Sequence, residues 1–100
     1  MAFVNKITID IDEDIKALLP AYIQKRFRDI NRMRKLTAES QWPAIADQAH
    51  TIKGSGQSYG LPALSEHCRL LQKAAADKNR EKTLKILTEM EKYLKNIKIP

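Results

Sequence analysis

The chain has 100 residues, 43% hydrophobic and 30% charged, with a formal net charge of +6; this suits one packed domain and excludes a disordered tail. Three glycines and four prolines supply too few turns for an all-β sandwich, which needs a turn signal about every ten residues. One cysteine and two histidines exclude a disulfide framework and a multi-cysteine zinc site.

Residues 1–12 alternate weakly through Ile7, Ile9 and Ile11. A strand here would have no partner, so 1–11 reads as an extended lead-in. Asp12 is placed to cap a short helix through Leu19, with Glu13 and Asp14 at its positive end. Pro20 then either starts a new helix in its first turn or kinks a continuous one. Between Ala21 and Leu36, Ile23, Phe27, Ile30 and Met33 recur at helical spacing as one inward stripe. Residues 37–41 form the connection, with Ser40 expected as the next N-cap and Pro43 in the first turn. In the helix over residues 42–59, Trp42, Ile45, Ala49, Ile52, Gly56 and Tyr59 step 3, 4, 3, 4, 3, a regular inward seam. Gly60 suits a left-handed C-terminal cap and Pro62 the first turn of a following helix. That helix turns Leu61, Leu64, Cys68, Leu71 and Ala75 inward and ends near residues 77–79. A last helix over about 81–97 turns in Leu84, Leu87, Met90, Leu94 and Ile97.

Four amphipathic helices on short links predict an all-α fold: an antiparallel up-down four-helix bundle over about residues 12–98, with a short extra N-terminal helix. The seams are satisfied within one bundle, so a monomer is expected. No apolar run approaches the roughly 20 residues of a membrane span, and residues 1–6 lack a signal-peptide core. These features read as a cytoplasmic protein.

His50 does not belong to its helix's seam. At about 100° per residue it points roughly 130° away from the seam's centre, toward water. Ala46 and Gly54, one turn to either side, are small, and Lys53 stands at i+3. A glycine inside a helix costs about 1 kcal/mol relative to alanine. Gly56 lies on the seam, where close packing accounts for it. Gly54 lies on the open face, where only the approach of another protein to His50 would. A neutral imidazole nitrogen is a nucleophile near neutral pH, and Lys53 can offer its ammonium to phosphoryl oxygens. No Gly-rich phosphate loop, GxSxG or HExxH is present. The chain therefore reads as a phosphoryl carrier and not an enzyme, with no cofactor or metal of its own.

Residues 49–60 read AHTIKGSGQSYG, and Leu64, Cys68 and Leu71 follow. This resembles the histidine-containing phosphotransfer (HPt) domain, with its signature A-H-x-[LI]-K-G-S-x-x-x-x-G and then L-x-x-x-C/G-x-x-L. The matching positions are Ala49, His50, Ile52, Lys53, Gly54, Ser55, Gly60, Leu64, Cys68 and Leu71. The Gly-Ser-Gly-x-x-Tyr-Gly form is similar to small stand-alone bacterial members, as are residues 18–23 with Arg26. The resemblance implies a phosphorelay intermediate of two-component signalling. It would accept a phosphoryl group on His50 from a receiver-domain aspartate of a hybrid kinase or response regulator and pass it to another receiver. Lys53 would stabilise the phosphoryl group and Gly54 would permit docking. Ala46, Asp47 and Gln57 around the histidine are further docking candidates. The first helix helps form the docking face in similar domains, so Leu18, Leu19, Tyr22 and Ile23 are expected to frame His50.

Other residues carry plainer readings. Asp47 either orients the ring or is an ordinary surface carboxylate. Cys68 reads as a buried, inert thiol, Trp42 and Tyr59 as core, and His67, on the flank of its seam, as a partly buried structural histidine. Lys25, Arg26, Arg28, Arg32, Arg34 and Lys35, opposed only by Asp29, form either a solvated face or a grip on an acidic partner. They also support the alternative function, a basic helical binding module for nucleic acid or an acidic protein. Gly54 argues against the nucleic-acid form, since such a reader has no use for it.

Overall fold

The computed structural model describes residues 7–8 and 13–98. In chain order these form strand β1 (Ile7–Thr8), helices α1 (Glu13–Lys16), α2 (Leu19–Ala38), α3 (Trp42–Ser58), α4 (Pro62–Ala76) and α5 (Arg80–Lys95), and strand β2 (Ile97–Lys98). Pro20 resolves as the start of a new helix, in the first turn of α2. Pro43 and Pro62 likewise lie in the first turns of α3 and α4, where the missing amide hydrogen costs nothing. The proposed cap Asp12 lies outside the described residues.

Three-residue links join the long helices, and each turns on a left-handed central residue: Ser40 (φ 57°), Gly60 (φ 73°) and Lys78 (φ 54°). The following amide reaches back into the last helical turn. Gln41 N–H donates to the Leu36 carbonyl (2.9 Å), Leu61 N–H to Gly56 (2.8 Å) and Asn79 N–H to Ala74 (3.0 Å). This is the Schellman closure, which satisfies carbonyls the helix leaves open. Gly60 adopts it without a Cβ penalty, whereas a left-handed side-chain residue costs about 1 kcal/mol. Ser40 is therefore not the N-cap of α3. That position belongs to Gln41, which makes no side-chain cap bond. The Ser40 hydroxyl instead accepts from Arg80 Nη2 at 2.7 Å, and Arg80 also donates to the Thr37 carbonyl.

Links this short make sequential helices antiparallel neighbours. α2 packs on α3 and α5, and α4 packs on α3 and α5, which closes the ring of an up-down four-helix bundle with the short α1 leading in. Its centre holds Leu19, Ile30, Met33, Ile45, Leu64, Leu71, Leu87 and Met90. Arg34 spans α2 to α5 by a forked pair of bonds to Glu91, 3.1 and 3.2 Å.

The predicted seams hold on α4 and on α3 from Ile45 to Gly56, and shift elsewhere. Trp42, Tyr59 and Phe27 are half-buried and pack on the core from its edge. Leu84, expected inward, is 38% exposed. α5 buries Thr83 and Ile86 beside Leu87 instead. Thr83 goes inside because its hydroxyl donates to the Asn79 carbonyl at 2.8 Å and so brings in no unmet donor. Ile97 lies beyond α5, in β2. The extended lead-in does gain a partner: β1 and β2 pair in parallel, Ile7 with Ile97 and Thr8 with Lys98.

Candidate functional site

α3 is held in rotation from both sides. Toward α2, the Ser55 hydroxyl donates to the Ile52 carbonyl (3.1 Å) and meets the Tyr22 hydroxyl at 2.7 Å, so Tyr22 is the donor of the pair. Toward α4, the Ser65 hydroxyl donates to the Lys53 carbonyl at 2.8 Å. Ile45, Ala49 and Ile52 fill the core between these ties. His50 is thereby carried to the outer face and is exposed. The side-chain bonds around it belong to its neighbours: Thr51 Oγ1 to the Asp47 carbonyl (3.2 Å) and Ser58 Oγ to the Gly54 carbonyl (3.5 Å). Asp47 and Gln57 are exposed beside it, and Ala46 and Lys53 are half-buried.

The two glycines of α3 differ as their faces require. A Cβ built on Gly54 meets nothing within 4 Å, whereas one on Gly56 would stand 3.0 Å from Ser65 Oγ and 3.4 Å from Leu64 Cδ2. Gly56 thus permits the α3–α4 approach, and Gly54 serves nothing inside the fold. Gly54→Ala is expected to stabilise the protein by about 1 kcal/mol through helix propensity. Gly56→Leu is expected to destabilise it by about 2 kcal/mol through overpacking. Urea denaturation of the two variants checks both signs.

The residues expected to frame His50 from the first long helix are placed differently. Leu19 has no exposed surface, and Tyr22 and Ile23 are 7% and 8% exposed. They are core, because α2 turns this face onto the bundle. Leu18 is 57% exposed and is the apolar side chain left outside. Tyr22 stacks on Tyr59 with ring centroids 3.9 Å apart, and the Arg26 guanidinium lies 4.4 Å from the Tyr22 ring centroid. Arg26 is 7% exposed, with Nε 2.9 Å from Asp29 Oδ2; the pair is ionic without hydrogen-bond alignment. A buried arginine is invisible to a hydrophobic pattern, although its place among Tyr22, Ile23 and Ile30 at helical spacing is the signal that could have found it.

Two open grooves follow the α2–α3 seam. One of about 400 Å³ is lined by Arg32, Ala44, Asp47, Gln48 and Thr51. The other, of about 390 Å³, is lined by Leu18, Ala21, Tyr22, Lys25, Arg26, Ser55 and Tyr59. Among the described residues no group of three or more His, Cys, Asp or Glu side chains could hold a metal ion, and no helix is long and apolar enough to cross a membrane.

His67 and Cys68 sit on α4 away from this face. Cys68 is buried, and desolvation pushes its thiol up to about 12, so it stays protonated and inert. His67 is half-buried against the edge of Tyr93, with ring centroids 5.9 Å apart, and its Nδ1 is buried without a partner. Burial lowers its pKa below 6.5, against the opposing pull of Glu89 and Glu66. The unfolded chain therefore binds a proton here more readily than the folded one. This contribution to stability is present above about pH 6.5 and is lost as pH falls through the lower folded value. Urea midpoints are expected to fall between pH 7.5 and 5.5, and to fall less in His67→Leu. Glu66 and Glu91, held low by hydrogen bonds from Arg69 and Arg34, act only below about pH 4.5.

A family model described as the Hpt domain matches residues 17–98, a span that takes in the four long helices and the exposed histidine of α3. Searches of curated proteins and of solved structures return no match.

Proposed function

Because the chain belongs to the Hpt domain family, whose members are phosphotransfer carriers in two-component signalling, we propose that His50 takes a phosphoryl group from the aspartate of one receiver domain and hands it to the aspartate of another. The observation that carries this reading is an exposed histidine beside a helical glycine whose missing side chain leaves open space.

The chemistry asks little of the chain. The Nε2 lone pair, on the side of the ring remote from the helix, forms an N–P bond as the P–O bond to the aspartate breaks. The bonding electrons leave with the carboxylate, and the Nδ1 proton passes to solvent. Transfer to the second receiver reverses these changes. Phosphoryl transfer depends on in-line positioning and charge neutralisation. Lys53, one turn along α3, supplies a cation for the phosphoryl oxygens. The magnesium ion and its carboxylate ligands belong to the receiver. The chain acts as a carrier and not an enzyme, and we place it as a monomer in the cytoplasm with its receivers.

Intact-mass spectrometry tests the proposal, after the protein is mixed with receiver domains charged by a small phosphodonor. One acid-labile, alkali-stable phosphoryl group is expected. Failure to gain it from any of a panel of receivers would count against the carrier role. Gly54→Leu, which keeps the fold, is expected to slow acceptance at least about tenfold, since small displacements of reacting groups are costly.

A further inference from the structure

α2 carries a second feature along the same face. Lys25, Arg28, Arg32 and Lys35 step 3, 4, 3, so they form one stripe about 15 Å long. All four are exposed. Two of its members border α3. Lys25 lines one α2–α3 groove, and Arg32 lines the other and donates to Gln48 Oε1 at 2.7 Å. Arg34, on the far flank, is the one that turns to Glu91 on α5.

The register of the two helices sets the height of the stripe. Tyr22 meets Ser55 and Arg32 meets Gln48, so the helices run antiparallel and His50 falls opposite the α2 segment between those contacts. Counting inward from the two ties puts His50 level with residues 27–30, a span that includes Arg28, with Lys25 and Arg32 about one turn to either side.

Among the described residues the stripe's charge is also not cancelled. The ion pairs among the described residues join Lys16 to Glu13, Arg26 to Asp29, Arg34 to Glu91, Arg69 to Glu66 and Lys73 to Asp77. None uses a stripe residue, and Asp29, the acid of this segment, is held by the buried Arg26.

We propose that this stripe is the electrostatic docking rail for the receiver, and that it fits partners whose phosphorylation site has a carboxylate-rich rim. The inference rests on the carrier reading of His50. A receiver that holds magnesium beside a phosphoaspartate must present one or two further carboxylates around that site. Such a rim meets α2 when the aspartate meets His50. Rows of opposite charge raise the rate of encounter and set orientation more than they tighten the final complex. A stripe meant for nucleic acid would have no reason to stand at the height of the histidine.

The test uses the full chain and a phosphodonor-charged receiver, and reads the second-order transfer rate at low and high salt. One variant reverses the stripe (Lys25→Glu, Arg28→Glu, Arg32→Glu). A control reverses three exposed lysines of α5 (Lys82→Glu, Lys85→Glu, Lys92→Glu). The wild-type rate is expected to fall about tenfold with salt, and the stripe variant to lose at least about tenfold at low salt, with the control within about twofold. Equal losses in both variants, or none in either, would overturn the rail and leave the carrier role standing. Binding of His50→Gln to uncharged receiver separates the two ideas in the other direction. Stripe-dependent binding without any phosphoryl transfer to the wild type would support the rail and sink the carrier. A random DNA duplex that binds the stripe more tightly than the receiver does would also overturn the rail.

Discussion

His50→Gln is expected to abolish phosphoryl acceptance while leaving the bundle as stable as the wild type. The side chain is exposed, and the hydrogen bonds around it belong to Thr51 and Ser58. A surface substitution of this kind stays within about 0.5 kcal/mol, and glutamine suits a helix at least as well as histidine. The chemical loss is complete because an amide nitrogen offers no lone pair to phosphorus. The other imidazole, His67, is half-buried on α4 against Tyr93 of α5, away from the open face of α3. Intact-mass spectrometry and a thermal melt on the same sample check both halves. A residual adduct at a tenth of the wild-type level would assign the acceptor to another residue.

Leu19→Ala is expected to cost about 3 kcal/mol, and Tyr22→Ala a similar amount. Against a total stability of roughly 5–15 kcal/mol for a domain, either variant approaches the edge of folding. Leu19 is fully enclosed, and Tyr22 combines a ring stack on Tyr59 with the hydroxyl contact to Ser55 that helps orient α3. Tyr22→Phe keeps the stack and loses the hydroxyl, at a cost of about 1 kcal/mol. Weak receiver binding by the alanine variants would therefore report unfolding and not a lost docking contact. Leu18→Ala is the clean probe of apolar docking at this end of α2, because Leu18 is 57% exposed and its removal leaves the core intact. Urea denaturation settles the first pair: a loss below about 1 kcal/mol for Leu19→Ala would be incompatible with a fully buried leucine.

The sequence was most legible on α3 and α4. Ile45, Ala49, Ile52, Leu64, Cys68 and Leu71 are buried as their spacing requires, and Gly60 turns its link in the left-handed region. Where it misled, the cause was local. Leu84 and Thr83 are adjacent on α5, and hydropathy alone favours the leucine as the inward residue. The hydroxyl bond from Thr83 to Asn79 reverses the choice. Ser40 has the chemistry of an N-cap, but the closure of α2 claims it first as the left-handed residue. Of the four residues expected from the family to frame His50 at the start of α2, Leu19, Tyr22 and Ile23 pack inward and Leu18 faces out.

Spacing within one helix determines which of its side chains share a face, because about 100° per residue holds whatever the helix packs against. The amphipathic helices, the outward histidine and the glycine with no internal purpose could therefore be read from the residues alone. How one helix stands against another depends on contacts between residues far apart in the chain, and no single helix's periodicity contains them. Tertiary structure decided that Tyr22 meets Ser55 and Arg32 meets Gln48. It decided that the α2 segment between those contacts lies opposite His50, and that residues 7–8 find their strand partner at 97–98.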